Sequence, residues 1–294
     1  MKKLVKLFAF FALMPMLMLT SCSDDSDDPQ PEAQNRFDEL KTYMIDNNMD
    51  LTNVLDGWIT SATAVHDANS DNDPGNDFYV IDIRKQEDFT NGHIDGAVNS
   101  TLGNILTTAA DANGQPIIVV CYTGQTAGHA VVALRLSGYA NAKVMKWGMS
   151  GWNSETAGSW NNNIGDAAIG DNNWMAAPGE IVANNPMNAP ELMYVTDDMA
   201  TVLAEQGQKL IDGGFRGVNN ADVLGNPDGY FINNYWATTD VEHYGNIKSA
   251  HRIQPLTLKD GEYAYLDGSA KVVTYCWTGQ TSSMITAYLA VLGY

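Results

Sequence analysis

Apolar residues along this chain fall into two kinds of run. Val80–Ile83 and Ile117–Val120 are short, continuous and β-branched, the pattern of parallel strands buried on both faces. After Cys121 the period lengthens. Ala127, Ala130, Val131 and Leu134 sit at i, i+3, i+4 and i+7, one face of a helix, and Gly138 supplies a stop. A later stretch repeats this order. Val272–Tyr275 is followed by Ile285, Tyr288, Leu289 and Leu292, and Gly293 ends the run. Phe37–Asn47 reads as a helix that opens the first folded segment. Strand, loop and helix are therefore predicted around Cys121 and again around Cys276, in an α/β protein.

The repetition extends to the residues themselves. Cys121-Tyr122-Thr123-Gly124-Gln125-Thr126 aligns with Cys276-Trp277-Thr278-Gly279-Gln280-Thr281, and Gly138-Tyr139 aligns with Gly293-Tyr294 at the same offset. Upstream, Gly92–Ala97 falls on Gly245–Ala250 and Tyr79–Arg84 on Tyr230–Tyr235, with small drifts in offset. Collinear copies of this length indicate duplicated domains rather than a short-period solenoid. The expected boundaries are 37–158 for the first domain and 190–294 for the second. The Asn-, Gly- and Ala-rich segment 159–189 reads as a linker. In the first copy Lys143–Gly148 and Gly151-Trp152 continue the pattern, whereas the second copy stops at Tyr294. The second domain is thus expected to be incomplete, as in a truncated version of a longer product, with an open sheet edge.

The N-terminus reads as a targeting segment. Lys2, Lys3 and Lys6 precede a short apolar run interrupted by Pro15 and ending at Leu19-Thr20-Ser21-Cys22. This resembles a bacterial lipobox, which implies a signal peptide over 1–21 and lipidation of Cys22. Ser23–Asp28 is strongly acidic and leads into Pro29 and Pro31, so 22–36 is expected to be a solvated tether. It reads equally as a plain spacer or as the acidic export signal of surface lipoproteins of the Bacteroidetes. The expected location is the bacterial cell envelope, periplasmic or surface-exposed, with the membrane reached through the lipid.

Charge and cysteine usage narrow the function. A formal net charge of -19 over 294 residues argues against a nucleic-acid partner, which demands a basic face. The three cysteines form no CxxC and no zinc-spaced cluster, so no metal and no cofactor is expected. A cysteine between a strand and a helix N-terminus meets unpaired N–H groups and the positive end of the helix dipole. Both favour thiolate and predict a lowered thiol pKa. Gly124 lets the loop curl into an anion nest, and Thr123 and Thr126 add hydroxyls. Such a cradle suits covalent catalysis in which the thiolate takes a sulfane sulfur and passes it on.

In order, Tyr79–Arg84, Gly92–Ala97, Cys121–Thr126 before a helix, and Gly148–Trp152 resemble the motifs of a rhodanese domain, over about 58–153 and again about 218–294. The resemblance implies two domains, each a central parallel sheet flanked by helices, with thiosulfate- or mercaptopyruvate-type sulfurtransferase chemistry. It implies Cys121 and Cys276 as nucleophiles, with Tyr122, Thr123, Gly124, Gln125 and Thr126, and Trp277, Thr278, Gly279, Gln280 and Thr281, as substrate-binding loops. It also implies structural support from Asp82, Arg84 and His93. The second copy places Asn233, Tyr235 and Asn246 at those three positions, so its brace is expected to be lost. Neither loop carries Lys or Arg, which predicts weak use of dianionic thiosulfate. The expected partners are a small sulfur donor and a thiol acceptor.

Three other readings compete. A phosphatase of related fold needs an arginine where this chain has Ala127 and Ser282, which cannot clamp a phosphoryl group. A non-catalytic binding module and a Cys121–Cys276 disulfide are the others. His129 reads as helix surface, since the second copy has Met284 there.

Overall fold

The computed structural model describes residues 31–71 and 73–294, so the leader, Cys22 and most of the acidic tether lie outside the described residues. The Phe37–Asp46 helix opens the folded part, as its apolar spacing predicts, with Phe37, Leu40 and Met44 turned inward. Strands Ile59–Thr60, Lys143–Met145, Ile117–Val120, Tyr79–Asp82 and Val98–Asn99 then form one five-stranded sheet in that spatial order. All neighbours run parallel. Ile117–Val120 is central and wholly buried, which explains its unbroken apolar sequence.

Strand alternation divides the core. Ile117 and Val119 face the large cluster shared with the second half of the chain. Ile118 and Val120 point the other way, onto Val65, Ile94, Met145 and Met149. The second half carries a two-stranded parallel pair, Phe231–Asn234 with Val272–Tyr275. Among the described residues Val272–Tyr275 has no ladder on its other edge.

Ala33–Tyr294 is one compact unit. The cysteine helices, Gln125–Leu136 and Gln280–Val291, pack against each other inside the shared core. A single apolar face is predicted for each, yet Ala127–Leu136 is buried all round, because the helix lies between its own sheet and its counterpart. Each fully buried Leu, Val or Ile there contributes about 1.5–3 kcal/mol. A side chain added at Gly128 would collide with Ser283, so glycine sets the close approach of the pair. Further ties cross the halves. Gln34–Asn35 pairs antiparallel with Met193–Tyr194. The buried Asp50 carboxylate accepts from Leu258 N at 2.9 Å and Lys259 N at 3.0 Å. Tyr288 donates its hydroxyl to Met49 O at 2.9 Å.

The 159–189 segment is more than a connector. Trp174–Met175 pairs antiparallel with Asn246–Ile247, and Asn173 donates its side-chain amide to Leu224 O at 2.7 Å. Several of its backbone groups pair with the second half, among them Asn173 O with Lys248 N and Val182 N with Ala250 O, a partnership that a polar, aperiodic sequence does not announce. No helix among the described residues is long and apolar enough to cross a membrane.

Candidate active site

Cys121 follows its strand directly and precedes the Gln125–Leu136 helix. The chain reverses at Gly124, whose φ of +86° an L-residue rarely adopts. The turn aims two backbone N–H groups at the sulfur: Gly124 N at 3.1 Å and Ala127 N at 3.3 Å from Cys121 Sγ. The position that would hold an arginine in a phosphatase thus contributes only its amide. The thiol is 3 % exposed. Burial pushes its pKa above the ordinary value, and the N–H groups of Ala127, Thr123, Gly124 and Thr126 offset only part of that rise. The lowered pKa expected from the helix terminus is therefore corrected: desolvation outweighs the hydrogen bonds in the closed site.

A second segment closes over the loop. Met149 N donates to Cys121 O at 2.8 Å, and Ser150 N and Oγ donate to Tyr122 O at 3.0 and 2.8 Å. Gly148, at φ +55°, passes so close that a Cβ would strike Cys121 O and lie 2.7 Å from Gly124 N. The Gly148–Trp152 motif is thus the lid of the cysteine loop.

Asp82 and Arg84 form a buried, multiply bonded pair beside the site. Arg84 Nη2 lies 2.7 Å from Asp82 Oδ2, Arg84 Nε reaches both carboxylate oxygens, and Arg84 Nη2 also donates to Gly92 O at 2.7 Å. The guanidinium sits 6.0 Å from the Tyr122 ring centre, which links the pair to the loop. Tyr122 in turn donates its hydroxyl to Asp88, a residue that no motif had marked. His93 is exposed, donates to Phe89 O at 2.8 Å and stacks on the Phe89 ring. Arg84, Asp88, His93, Tyr122 and Trp152 line a pocket of about 330 Å³ beside the loop.

The second loop has the same frame and different walls. Cys276 Sγ accepts from Ser282 N at 3.4 Å and is partly exposed. It opens on a cleft of about 730 Å³ whose lining includes Phe215, Trp236, Val273 and Tyr275. The strand register corrects the alignment of the copies by one residue. Asp82 lies opposite Val120, immediately before Cys121; Asn234, not Asn233, lies opposite Tyr275, immediately before Cys276. Asp82 accepts from Arg84 N at 3.0 Å, and Asn234 accepts from Trp236 N at the same distance. Trp236, not Tyr235, therefore stands for Arg84. It stacks on Trp277 with ring centres 4.4 Å apart, as Arg84 lies over Tyr122. Trp277 Nε1 donates to Asp240 as Tyr122 donates to Asp88. The second brace is thus aromatic rather than absent. Asn246, in the place of His93, is buried and holds the 159–189 segment through Glu180, accepting from its N–H at 2.8 Å and donating to its carbonyl at 2.9 Å.

One further expectation and one competing reading are decided here. His129 is buried, accepts from Arg216 N at 3.2 Å and packs on Phe215, so it belongs to the junction of the halves and not to helix surface. Burial, aided by the Arg216 charge, lowers its pKa to about 4. Cys121 and Cys276 are both free thiols.

A parallel sheet whose strand runs into a cysteine-bearing anion loop and a helix defines a class, and the chain belongs to the rhodanese-like family. Residues 61–155 match the Rhodanese-like domain. Over 79 residues, 26% of this chain and 78% of the relative, it is 34% identical to the thiosulfate sulfurtransferase GlpE of Shewanella oneidensis. It is 33% identical over 88 residues to YibN of Escherichia coli, spanning 27% of this chain and 58% of that protein. A solved thiosulfate sulfurtransferase from Pseudomonas aeruginosa aligns with 86% of this chain and 43% of its own, at 12% identity and a TM-score of 0.31.

Proposed function

We propose that the protein is a sulfurtransferase of two rhodanese-like domains, 37–158 and 190–294. The Cys121 thiolate attacks the transferable sulfur of a donor; the S–S bond of a persulfide or thiosulfate, or the C–S bond of mercaptopyruvate, breaks, and the leaving group (a thiolate, sulfite or the enolate of pyruvate, which is then protonated) departs with the bonding pair. The persulfide on Cys121 then yields its outer sulfur to an acceptor thiolate or cyanide, which regenerates the Cys121 thiolate. The observation that carries this reading is the pair of N–H groups aimed at Cys121 Sγ, a nest that suits an anionic sulfur. Cys276, with its equivalent loop, is the second nucleophile. The absence of Lys and Arg from both loops favours a less charged donor than thiosulfate, such as mercaptopyruvate or an organic persulfide. Lipidation of Cys22 would place the protein in the bacterial cell envelope; the sequence before the acidic stretch supports this.

A second reading, a non-catalytic rhodanese-like module of the cell envelope, is favoured by the 3 % exposure of Cys121. Incubation with donor followed by site-resolved mass spectrometry separates the two. A gain of one sulfur on Cys121, lost in Cys121→Ala and kept in Cys276→Ala, supports transfer; no adduct on either cysteine supports the module. Cyanide sulfuration measured with each donor tests the donor class, and strong preference for thiosulfate would refute it.

A further inference from the structure

The two cysteine loops touch through their glutamines. Gln280, from the second loop, is 2 % exposed, and its side chain points into the first half. Its Oε1 accepts from Trp147 N at 3.2 Å. Trp147 immediately precedes Gly148, and Met149 and Ser150 after it hold the carbonyls of Cys121 and Tyr122. The same Gln280 side chain fills the space beside Gly124, where a Cβ would lie 2.9 Å from Oε1 and 3.1 Å from Cδ. Gln280 therefore supports both sides of the Cys121 cradle: the lid, through a hydrogen bond, and the Gly124 turn, through contact. The reverse contact differs. Gln125 Nε2 donates to Thr278 O at 3.0 Å, inside the second cysteine loop itself. It also crowds Gly279, where a Cβ would meet its amide.

We propose that Gln280 is a positioning residue for the Cys121 site, so that the first site is completed by the second half. Gln280 acts through Trp147 and Gly124 and does not touch the sulfur. Three observations converge on it. A buried amide oxygen has one protein donor, the Trp147 N–H. That N–H, part-buried, would lose this partner if the oxygen were removed. The glycine at the turn leaves room for this side chain and no more. The role is independent of whether Cys276 reacts, and it accounts for an intact Gly279-Gln280 pair in a half whose ion-pair brace has been replaced by aromatics.

The test uses the full chain with Cys22 and Cys276 changed to alanine, leaving Cys121 as its thiol. The pH midpoint of Cys121 alkylation by iodoacetamide is followed alongside the urea midpoint. Alkylation needs no sulfur donor, so a protein that fails to transfer sulfur still reports on Gln280. Gln280→Met keeps the volume and removes the acceptor. Because the volume, and with it the burial of Cys121, is kept, the change falls on the aim of the Gly124 and Ala127 N–H groups; they hold the thiolate less well, and the alkylation midpoint rises by about 0.5–1 pH unit. A purely structural residue would move only the urea midpoint. An alkylation midpoint at or below the parental value in Gln280→Met overturns the proposal. If Gln280→Met does not fold, hydrogen exchange on the unaltered chain decides. On the unaltered chain, hydrogen exchange at the Trp147 amide must be as slow as in the central strand, and free exchange there overturns the proposal as well.

Discussion

Trp236 and Trp277 stack with ring centres 4.4 Å apart and planes 17° from parallel, in the place where the first half sets Arg84 over Tyr122. A charged brace and an aromatic one thus support equivalent loops. The substitution is physically coherent. Asp82 needs a cation because a buried carboxylate without one is costly, whereas neutral Asn234 leaves the neighbouring position free to be apolar.

The stack makes the two tryptophans unequal. Trp236 is 8 % exposed and Trp277 53 %. Trp236→Ala should cost about 3–5 kcal/mol, the range for emptying a buried aromatic site. Trp277→Ala should cost about 0.5–1.5 kcal/mol, the worth of a stacked pair. Urea denaturation of the two variants, read by far-ultraviolet circular dichroism, gives the comparison; equal losses would contradict the stacking geometry.

Arg84→Met removes the cation from a carboxylate with no exposed surface. The expected loss is about 3–5 kcal/mol, because Asp82 is left buried and unpaired. The double variant Asp82→Asn/Arg84→Met, which copies the polarity of the second half, should recover a large part of it. A double-mutant cycle in urea measures the coupling.

His129 sets a pH dependence. Its folded pKa is about 4, below the ordinary 6.5, so between those values the unfolded chain binds the proton and the folded chain does not. Stability from this residue is fully present above pH 6.5 and is lost as pH falls toward 4, by roughly 3 kcal/mol. In His129→Phe the urea midpoint should fall less over this range than in the parent. Identical slopes would place His129 outside the buried junction.

The thiols should differ in access. Cys276 is partly exposed beside its cleft, and Cys121 is nearly closed. A bulky maleimide, mapped by peptide mass spectrometry, should label Cys276 several-fold faster. Gly148→Ala, which forces the lid away from Cys121 O, should narrow the gap by speeding Cys121.

Much of this protein is local and was readable in its residues. The apolar run Ile117–Val120, the change of period after Cys121 and the glycine at 124 prescribe strand, turn and helix, because buried strands, helical faces and left-handed turns each restrict residue type within a few positions. The nest around Cys121 follows from that local order. What remained hidden depends on residues far apart in the chain. The one-residue shift that pairs Asn234 and Trp236 with Asp82 and Arg84 is a matter of strand register, which similarity of short motifs does not determine. The raised pKa of Cys121 and the lowered pKa of His129 arise from burial, the first beneath the Gly148–Trp152 segment and the second against Phe215 and Arg216. Gln280 looked like a member of its own loop, and only the packing of the halves carries it 133 positions back to Trp147. The sequence by itself determined two cysteine loops and the chemistry they suit. The tertiary structure decided which residues brace each loop and how far water reaches each sulfur, because desolvation and cross-chain hydrogen bonds exist only once distant segments share a core.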